Sequence, residues 1–104
     1  MTDQIFDGAA FDKLTANDVS LQGELLVLFQ AHQPMLIEEA KSGERGTFSH
    51  KLRGIAANLT APRLAAFAAR WGDMEDWVVD DEMSTLRDEL SQLEAAIAAH
   101  LKAQ

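Results

Sequence analysis

Apolar side chains recur every three or four positions along most of the chain, which is the period of an α-helix. No run of alternating β-branched residues, which would indicate a strand, interrupts this pattern, and the composition is rich in the helix-favouring residues Ala, Leu, Glu and Gln. The pattern therefore predicts an all-α fold. Five helices are expected: Ala9 to Leu14, Asp18 or Ser20 to Ser42, Arg45 or Thr47 to Leu59, Pro62 to Met74, and Asp80 or Asp81 to the C-terminus.

The ends and inward faces of these helices follow from the same pattern. Asp7, and then Asp18 or Ser20, are expected to cap the first two helices through side-chain oxygens. Pro34 lies inside the second helix and is expected to kink it or to start a new one. The residues expected to point inward are Leu21, Leu25, Leu28, His32 or Met35, Leu36 and Ala40 on the second helix, Phe48, Leu52, Ile55 and Leu59 on the third, Leu64, Phe67 or Ala68, Trp71 and Met74 on the fourth, and Met83, Leu86, Leu90, Leu93, Ile97 and Leu101 on the fifth.

Short connections favour helices that pack as antiparallel neighbours. The longest expected connection runs over residues 73–81, ahead of the last helix. A chain of 104 residues suits one hydrophobic core rather than two. We therefore expect a single domain over residues 1–104, folded as an antiparallel up-and-down four-helix bundle with a short additional N-terminal helix.

Composition and net charge narrow the possible functions. The chain has no cysteine, which excludes a disulfide scaffold, a thiolate metal site and a cysteine nucleophile. Its formal net charge of −8 argues against binding to nucleic acid or to an anionic membrane, since both attract basic surfaces. No apolar run approaches the roughly 20 residues that cross a bilayer, and the N-terminus lacks the pattern of a signal peptide. A soluble, cytoplasmic protein is expected.

Basic residues are concentrated in the middle of this acidic chain. From Lys41 to Arg70 the net charge is +5, whereas the rest of the chain carries −13. Two interpretations of this basic window stay open. It is either a solvated surface that happens to be basic or a docking face for an acidic partner.

His50 lies on the third predicted helix but not on the apolar face of that helix. With about 100° of rotation per residue, the apolar residues of the helix lie about 140° to 200° away from it. His50 is therefore expected to point into water. The small residues nearest to it on the same face are Gly54, Ala57 and Ala61, and Arg53 and Lys51 stand to either side.

Gly54 suggests a reason for this exposed histidine. A glycine inside a helix costs about 1 kcal/mol relative to alanine, and no turn is indicated nearby. Without a Cβ atom at this position, another protein can approach the neighbouring imidazole closely. A neutral imidazole carries a lone pair on one ring nitrogen, and flanking cations offset the charge of an incoming anionic group. The combination suits transient attachment of a phosphoryl group to His50.

The stretch from Ser49 to Leu59, SHKLRGIAANL, carries the most specific pattern in the chain. It resembles the signature of histidine-containing phosphotransfer (HPt) domains: a small residue, histidine, any residue, leucine, lysine or arginine, and glycine. The resemblance extends over about Phe11 to Leu101, because the leucine-rich helix before the motif and the amphipathic helix after it also look like their counterparts in that family. The chain departs from the family pattern at Thr60, where glycine is usual.

The resemblance implies an intermediary in a multistep phosphorelay. His50 would accept a phosphoryl group from the aspartate of a response-regulator receiver domain and pass it to another receiver, and a hybrid histidine kinase is a further expected partner. Arg53 would stabilise the phosphoryl oxygens, Lys51 would help more loosely, and Gly54 would give clearance. The metal ion for this chemistry would belong to the receiver, so no metal site and no cofactor are expected in this chain.

The expected interface is small and transient, and the chain is expected to be a monomeric phosphocarrier rather than an enzyme. Its partner-binding residues, in addition to those around the phosphorylated histidine, are expected to be Ala57, Ala61, Arg45 and Arg63.

Two other functions are open. A non-catalytic helical adaptor would bind an acidic partner through the basic window without being phosphorylated. A metal-binding bundle would use His32, His50 and His100, although His50 is expected to lie away from the other two. His32 is expected in the core or at its border, and His100 is expected to be structural or solvated.

Overall fold

The computed structural model describes residues 4–74 and 79–103. Within these ranges the chain is all-helical and contains no strand, which confirms the predicted fold class. None of the described helices is long and apolar enough to cross a membrane. The helices are α1 (Gly8–Leu14), α2 (Val19–Ser42), α3 (Arg45–Asn58), α4 (Pro62–Gly72) and α5 (Val79–Lys102).

The connection between the last two helices differs slightly from the prediction. α4 ends at Gly72, and α5 begins at Val79, ahead of the predicted start at Asp80 or Asp81. Of the loop predicted over residues 73–81, residues 75–78 lie outside the described residues.

Side-chain caps fix the starts of the first two helices. The Asp7 carboxylate accepts a hydrogen bond from the N–H of Ala10 at 3.0 Å, and the Asp18 carboxylate accepts one from the N–H of Leu21 at 3.0 Å. These bonds satisfy amide groups that have no partner inside the helix, and they confirm the predicted caps. The start of α3 differs, because the side chain of Glu44 makes no capping hydrogen bond.

α2 continues through Pro34 as one helix, so the new start that was one of the two predicted outcomes does not occur. Proline lacks the N–H that would bond to the carbonyl of Gln30. Both residues are exposed, and water can therefore satisfy that carbonyl. The backbone hydrogen bonds of the helical turns before and after Pro34 keep α2 continuous.

The core forms where the helices pack in pairs. α3 packs extensively against α4 and α2 against α5, while α4 also contacts α5 and α2 contacts α3 only sparsely. The rings of Phe48 and Trp71 join α3 to α4 edge to face, with their centroids 5.7 Å apart. Ile55, Met74 and Leu101 are only partly buried and pack against this core. The buried residues that confirm the predicted inward faces of α3, α4 and α5 are Phe48, Leu52, Leu59, Leu64, Phe67, Ala68, Trp71, Met83, Leu86, Leu90, Leu93 and Ile97.

The predicted inward face of α2 is wrong in part. Leu36 and Ala40 are buried as expected, and Leu25 is half-buried. The other predicted inward residues, Leu21, Leu28, His32 and Met35, are exposed. The buried residues of α2 are Gln22, Phe29, Leu36 and Ala40.

Gln22 explains why α2 is rotated away from the predicted orientation. Its side chain is fully buried, and its amide donates hydrogen bonds to Asp12 Oδ1 and Thr15 Oγ1 at 2.9 Å each. Turning Leu21 inward would take this amide away from both acceptors and would replace the buried ring of Phe29 by a smaller side chain. A buried polar group without its partners costs about 1–3 kcal/mol. The observed rotation keeps these bonds and buries the larger side chain.

α3 ends in a tight turn that the N-terminal segment holds. Thr60 has a φ of 51°, in the left-handed region that β-branched residues rarely adopt. Its hydroxyl donates to the carbonyl of Asp7 at 2.9 Å, and the N–H of Asp7 donates to the carbonyl of Thr60 at 2.8 Å. This is the position at which the resembled family usually has glycine, a residue that adopts such a conformation without steric cost. Here the bonds to Asp7 hold a threonine in the left-handed conformation.

Candidate functional site

His50 lies on the exposed side of α3, as predicted from the helical period. The buried residues of the same helix are Phe48, Ser49, Leu52 and Ala56. Among the described residues the imidazole has no hydrogen-bond or ion-pair partner within the chain. The imidazole is therefore exposed and is not engaged by another group of the described chain.

The opposite side of α3 is anchored to α4. Ser49 is buried, and its hydroxyl donates a hydrogen bond to the carbonyl of Ala68 at 2.6 Å. Gly72 packs so closely against Ser49 that a Cβ atom at Gly72 would lie 2.9 Å from Ser49 Oγ. Because Ser49 directly precedes His50, this packing fixes the backbone that carries the imidazole.

Gly54 and Ala57 leave the face of α3 beside His50 without bulky side chains. Both residues are exposed, and a Cβ atom built at Gly54 would meet no described atom within 4 Å apart from its chain neighbours and the adjacent backbone of α3. Gly54 has no positive φ, so its backbone conformation does not call for glycine. Neither packing nor backbone geometry in the described chain explains this glycine, and the same is true of Gly23 on α2.

The two cations that flank His50 differ in their surroundings. Lys51 Nζ bonds both carboxylate oxygens of Glu39 on α2, at 2.7 and 2.9 Å. Arg53 is exposed and has no ion-pair or hydrogen-bond partner among the described residues. Of these two side chains, Arg53 is therefore the one that is free to bind an anionic group next to the imidazole.

Two cations predicted to bind a partner are engaged within the fold. Arg45 is half-buried, and its Nη1 donates a hydrogen bond to the carbonyl of Met74 at 2.6 Å. Arg63 Nε pairs with Glu89 Oε2 at 2.9 Å, and its Nη2 donates to Gln92 Oε1 at 2.6 Å. These contacts tie α3 and α4 to neighbouring segments.

Acidic residues from α2 and α5 also offset other charges of the basic window. Arg70 pairs with Glu82 at 3.2 Å, and Lys41 lies 3.6 Å from Glu38. The net charge of +5 along residues 41–70 is therefore largely compensated in three dimensions by acids from outside that window. Among the cations of the basic window that lie on α3, Arg53 has a charge that no described acid offsets.

Ala61 does not lie on the exposed face of His50, so its predicted position on that face is wrong. Its exposed fraction is 2%. The helical rotation that placed it beside His50 stops at Asn58, where α3 ends, and the left-handed turn at Thr60 then directs the chain inward. Ala57, which still belongs to α3, stays exposed as predicted.

The three histidines lie in different environments. His32 is exposed, in contrast to its predicted position in the core or at its border. His100 Nε2 lies 2.7 Å from Asp12 Oδ1, and its ring packs edge to face on Phe6, so its predicted structural role is confirmed. Within residues 4–74 and 79–103, no group of three or more His, Asp or Glu side chains is placed to hold a metal ion. The geometry gives the metal-binding alternative no support.

The sequence pattern did not predict an apolar groove that lies beside α3, the helix that carries His50. It lies between α2 and α3, and its walls include Leu28 and His32 from α2 and Ile55 and Asn58 from α3. The spacing of the leucines on α2 could have indicated this groove, but these leucines were predicted to lie in the core.

The surroundings of His50 thus combine an exposed nucleophile, open access along one helical face and a cation that is free to bind an anion. Comparison of the whole chain with protein-family models, with curated proteins and with solved structures found no match.

Proposed function

We propose that the chain is a histidine phosphotransfer protein of a multistep phosphorelay. An unprotonated ring nitrogen of His50 attacks the phosphorus of an aspartyl phosphate on a receiver domain. The N–P bond forms as the P–O bond to the aspartate breaks, and the electron pair of that bond leaves with the carboxylate. The reverse displacement, on the aspartate of a second receiver, passes the phosphoryl group on.

The exposure of His50 on the face of α3 opposite the buried residues is the observation that carries this proposal. Phosphoryl transfer depends on in-line placement of the nucleophile and on stabilisation of charge. A ring on an anchored helix, with no bulky neighbour at Gly54, supports the first requirement. The receiver would supply most of the charge stabilisation.

Arg53 is the residue of this chain that we assign to charge stabilisation. Its guanidinium can donate two parallel hydrogen bonds to phosphoryl oxygens. Lys51 has a smaller role, because it would first have to leave the carboxylate of Glu39.

We further propose that α2 to α5 form an antiparallel up-and-down four-helix bundle, with α1 as a short additional helix. Each of these four helices contacts two of the others, as in a closed ring. Between α4 and α5, Arg63 pairs with Glu89 and Arg70 with Glu82, so the contact moves back along α5 as it advances along α4. Nuclear Overhauser contacts between α4 and α5 test this orientation, and contacts that advance in step along both helices would contradict it.

A transfer assay tests the function. The chain is incubated with a receiver domain that carries a radiolabelled aspartyl phosphate, and the label is tested for the acid lability and alkali stability of phosphohistidine. We expect His50→Gln to reduce labelling to background, whereas His32→Gln, at another exposed histidine, keeps full labelling. Equal labelling of both variants, or no labelling of the wild type by a set of receivers, would reject the proposal.

The same assay separates the two flanking cations. We expect Arg53→Gln to slow labelling by about tenfold, in line with the loss of one charge-assisted hydrogen bond in the transition state. Lys51→Gln is expected to have a smaller effect, since Lys51 is occupied by Glu39. A larger loss for Lys51→Gln than for Arg53→Gln would reverse the assignment.

The adaptor alternative has less support, because Arg45 and Arg63 already have partners within the fold.

A further inference from the structure

The ion pair between Glu39 and Lys51 lies next to the proposed phosphoryl site. It joins α2 to α3, and Lys51 directly follows His50 in the sequence. Lys51 Nζ contacts both carboxylate oxygens of Glu39, at 2.7 and 2.9 Å. The carboxylate therefore holds the ammonium group toward α2 and neutralises its charge.

Glu39 changes the charge that an anionic group meets near the imidazole. Arg53 contributes one positive charge that no described acid offsets. Lys51 carries a second positive charge, which the carboxylate of Glu39 cancels. An incoming phosphoryl group is therefore attracted by one positive charge rather than by two.

The ion pair is exposed enough for another anion to replace the carboxylate. The side chains of Lys51 and Glu39 are 48% and 35% exposed, and ion pairs at such positions contribute little to stability because water and salt screen them. A phosphoryl group offers about two negative charges and three acceptor oxygens, against one charge on a carboxylate. The flexible stem of a lysine lets its ammonium group move between neighbouring anions. A phosphoryl group on His50 therefore competes with Glu39 for Lys51.

Such competition suits an intermediary that has to release the phosphoryl group as well as accept it. Cations that bind the group equally well before and during transfer stabilise the phosphorylated state without lowering the barrier to onward transfer. With Lys51 held by Glu39, Arg53 is the flanking cation that binds the group at full strength. The phosphorylated state is thereby kept from becoming too stable.

We propose that Glu39 is a positioning residue of the phosphoryl site, which holds Lys51 and so limits the attraction of His50 for a phosphoryl group. Glu39 itself touches no reacting atom. This inference rests on the proposed function, because it takes His50 as the phosphorylated residue. Removing the carboxylate frees Lys51 and makes phosphorylation of His50 faster.

Chemical phosphorylation of the full chain tests this role without a receiver domain. The probe is the phosphoramidate anion: the imidazole forms the new N–P bond, and the electron pair of the old P–N bond leaves with ammonia. The initial rate is measured by phosphorus NMR, from the phosphohistidine signal that His50→Gln lacks, at a pH of about 8.5, where an exposed imidazole is neutral. We expect Glu39→Gln to raise this rate by about threefold, the effect of one additional positive charge near an exposed group.

Two comparisons separate the positioning role from a general change of charge. Glu38→Gln removes the same charge from the next position of α2, where Glu38 lies 3.6 Å from Lys41, and is expected to keep the wild-type rate. In a Lys51→Gln background, Glu39→Gln is expected to lose most of its effect, because no lysine is left to release. Added salt shrinks the gain, which a purely structural role of Glu39 would not explain.

Several results would overturn the proposal. They are an equal gain for Glu38→Gln and Glu39→Gln, an undiminished gain in the absence of Lys51, and a rate for Glu39→Gln at or below that of the wild type. If receivers label His50 while Glu39→Gln behaves like the wild type, the role of Glu39 is wrong and the proposed function stands. If phosphoramidate reveals the gain but no receiver labels the chain, the proposed function fails and the control of Lys51 by Glu39 stands.

Discussion

α2 and α3 both carry apolar residues at helical spacing, yet only the inward face of α3 was predicted correctly. On α3 the side opposite the apolar residues bears His50, Gly54 and Ala57, which gain little from burial. On α2 a second apolar set, Leu21, Leu28 and Met35, competes with the set that is buried. Helical spacing thus predicts the buried face only where the other faces are polar or small.

The two helices also differ in what fixes their rotation. α3 is oriented mainly by its own amphipathic pattern and by the packing of Phe48 against Trp71. α2 buries Phe29 and Leu36 and, in addition, makes a polar contact with α1 through the hydrogen bonds of the Gln22 amide. As a result, Leu21 and Leu28 stay exposed on α2, although the pattern of the helix assigned them to the core.

The largest expected effect separates the two apolar faces of α2. We expect Leu36→Ala, at a side chain that is 1% exposed, to lower the free energy of unfolding by about 2–5 kcal/mol. Leu28→Ala removes the same atoms from a side chain of α2 that is 52% exposed and should cost less than about 1 kcal/mol. Urea denaturation of both variants measures the difference. Equal losses would mean that Leu28 is also part of the core.

A second pair of variants tests whether Gln22 sets the rotation of α2. Gln22→Ala leaves Asp12 and Thr15 without this donor, and we expect a loss of about 1–3 kcal/mol in the free energy of unfolding. Gln30→Ala is the control: Gln30 is exposed, its amide donates only a long, solvent-exposed hydrogen bond to Glu94 at 3.3 Å, and the variant should stay within about 0.5 kcal/mol of the wild type. A Gln22 variant as stable as the control would show that apolar packing alone orients α2.

Local sequence patterns predicted the helices and the exposure of His50, because both depend on neighbours within one or two helical turns. These local patterns could not predict contacts between residues that are far apart in the sequence. Arg63 pairs with Glu89 across two helices, and no spacing in the sequence indicates that pairing. The exposure predicted for Ala61 failed because it extended the rotation of α3 past the end of that helix at Asn58.

The N-terminal ends of α2 and α3 give a third and smaller contrast, because only α2 begins with a side-chain cap. Asp18→Ala removes the carboxylate that caps α2, and we expect it to lower the free energy of unfolding by about 1 kcal/mol. Glu44→Ala should cost only a few tenths, because Glu44 makes no capping bond and its carboxylate accepts only an exposed hydrogen bond from Thr47. Thermal unfolding followed by circular dichroism is sufficient to compare them. A larger loss at Glu44 would mean that its contact with Thr47 stabilises α3 more than a cap would.

The smallest difference in stability is expected within the most informative pair, Gly54→Ala on α3 and Gly23→Ala on α2. A Cβ atom at either position meets nothing within 4 Å in the described chain, so both variants should gain about 0.5–1 kcal/mol from their higher helix propensity. Their effects on phosphorylation should differ. A methyl group at position 54 lies one turn from His50 and is expected to slow transfer from a receiver several-fold, whereas Gly23→Ala leaves the rate unchanged. If Gly54→Ala gained stability and kept the wild-type transfer rate, clearance would be refuted as the reason for this glycine, while the role of His50 would still stand on the labelling of His50→Gln.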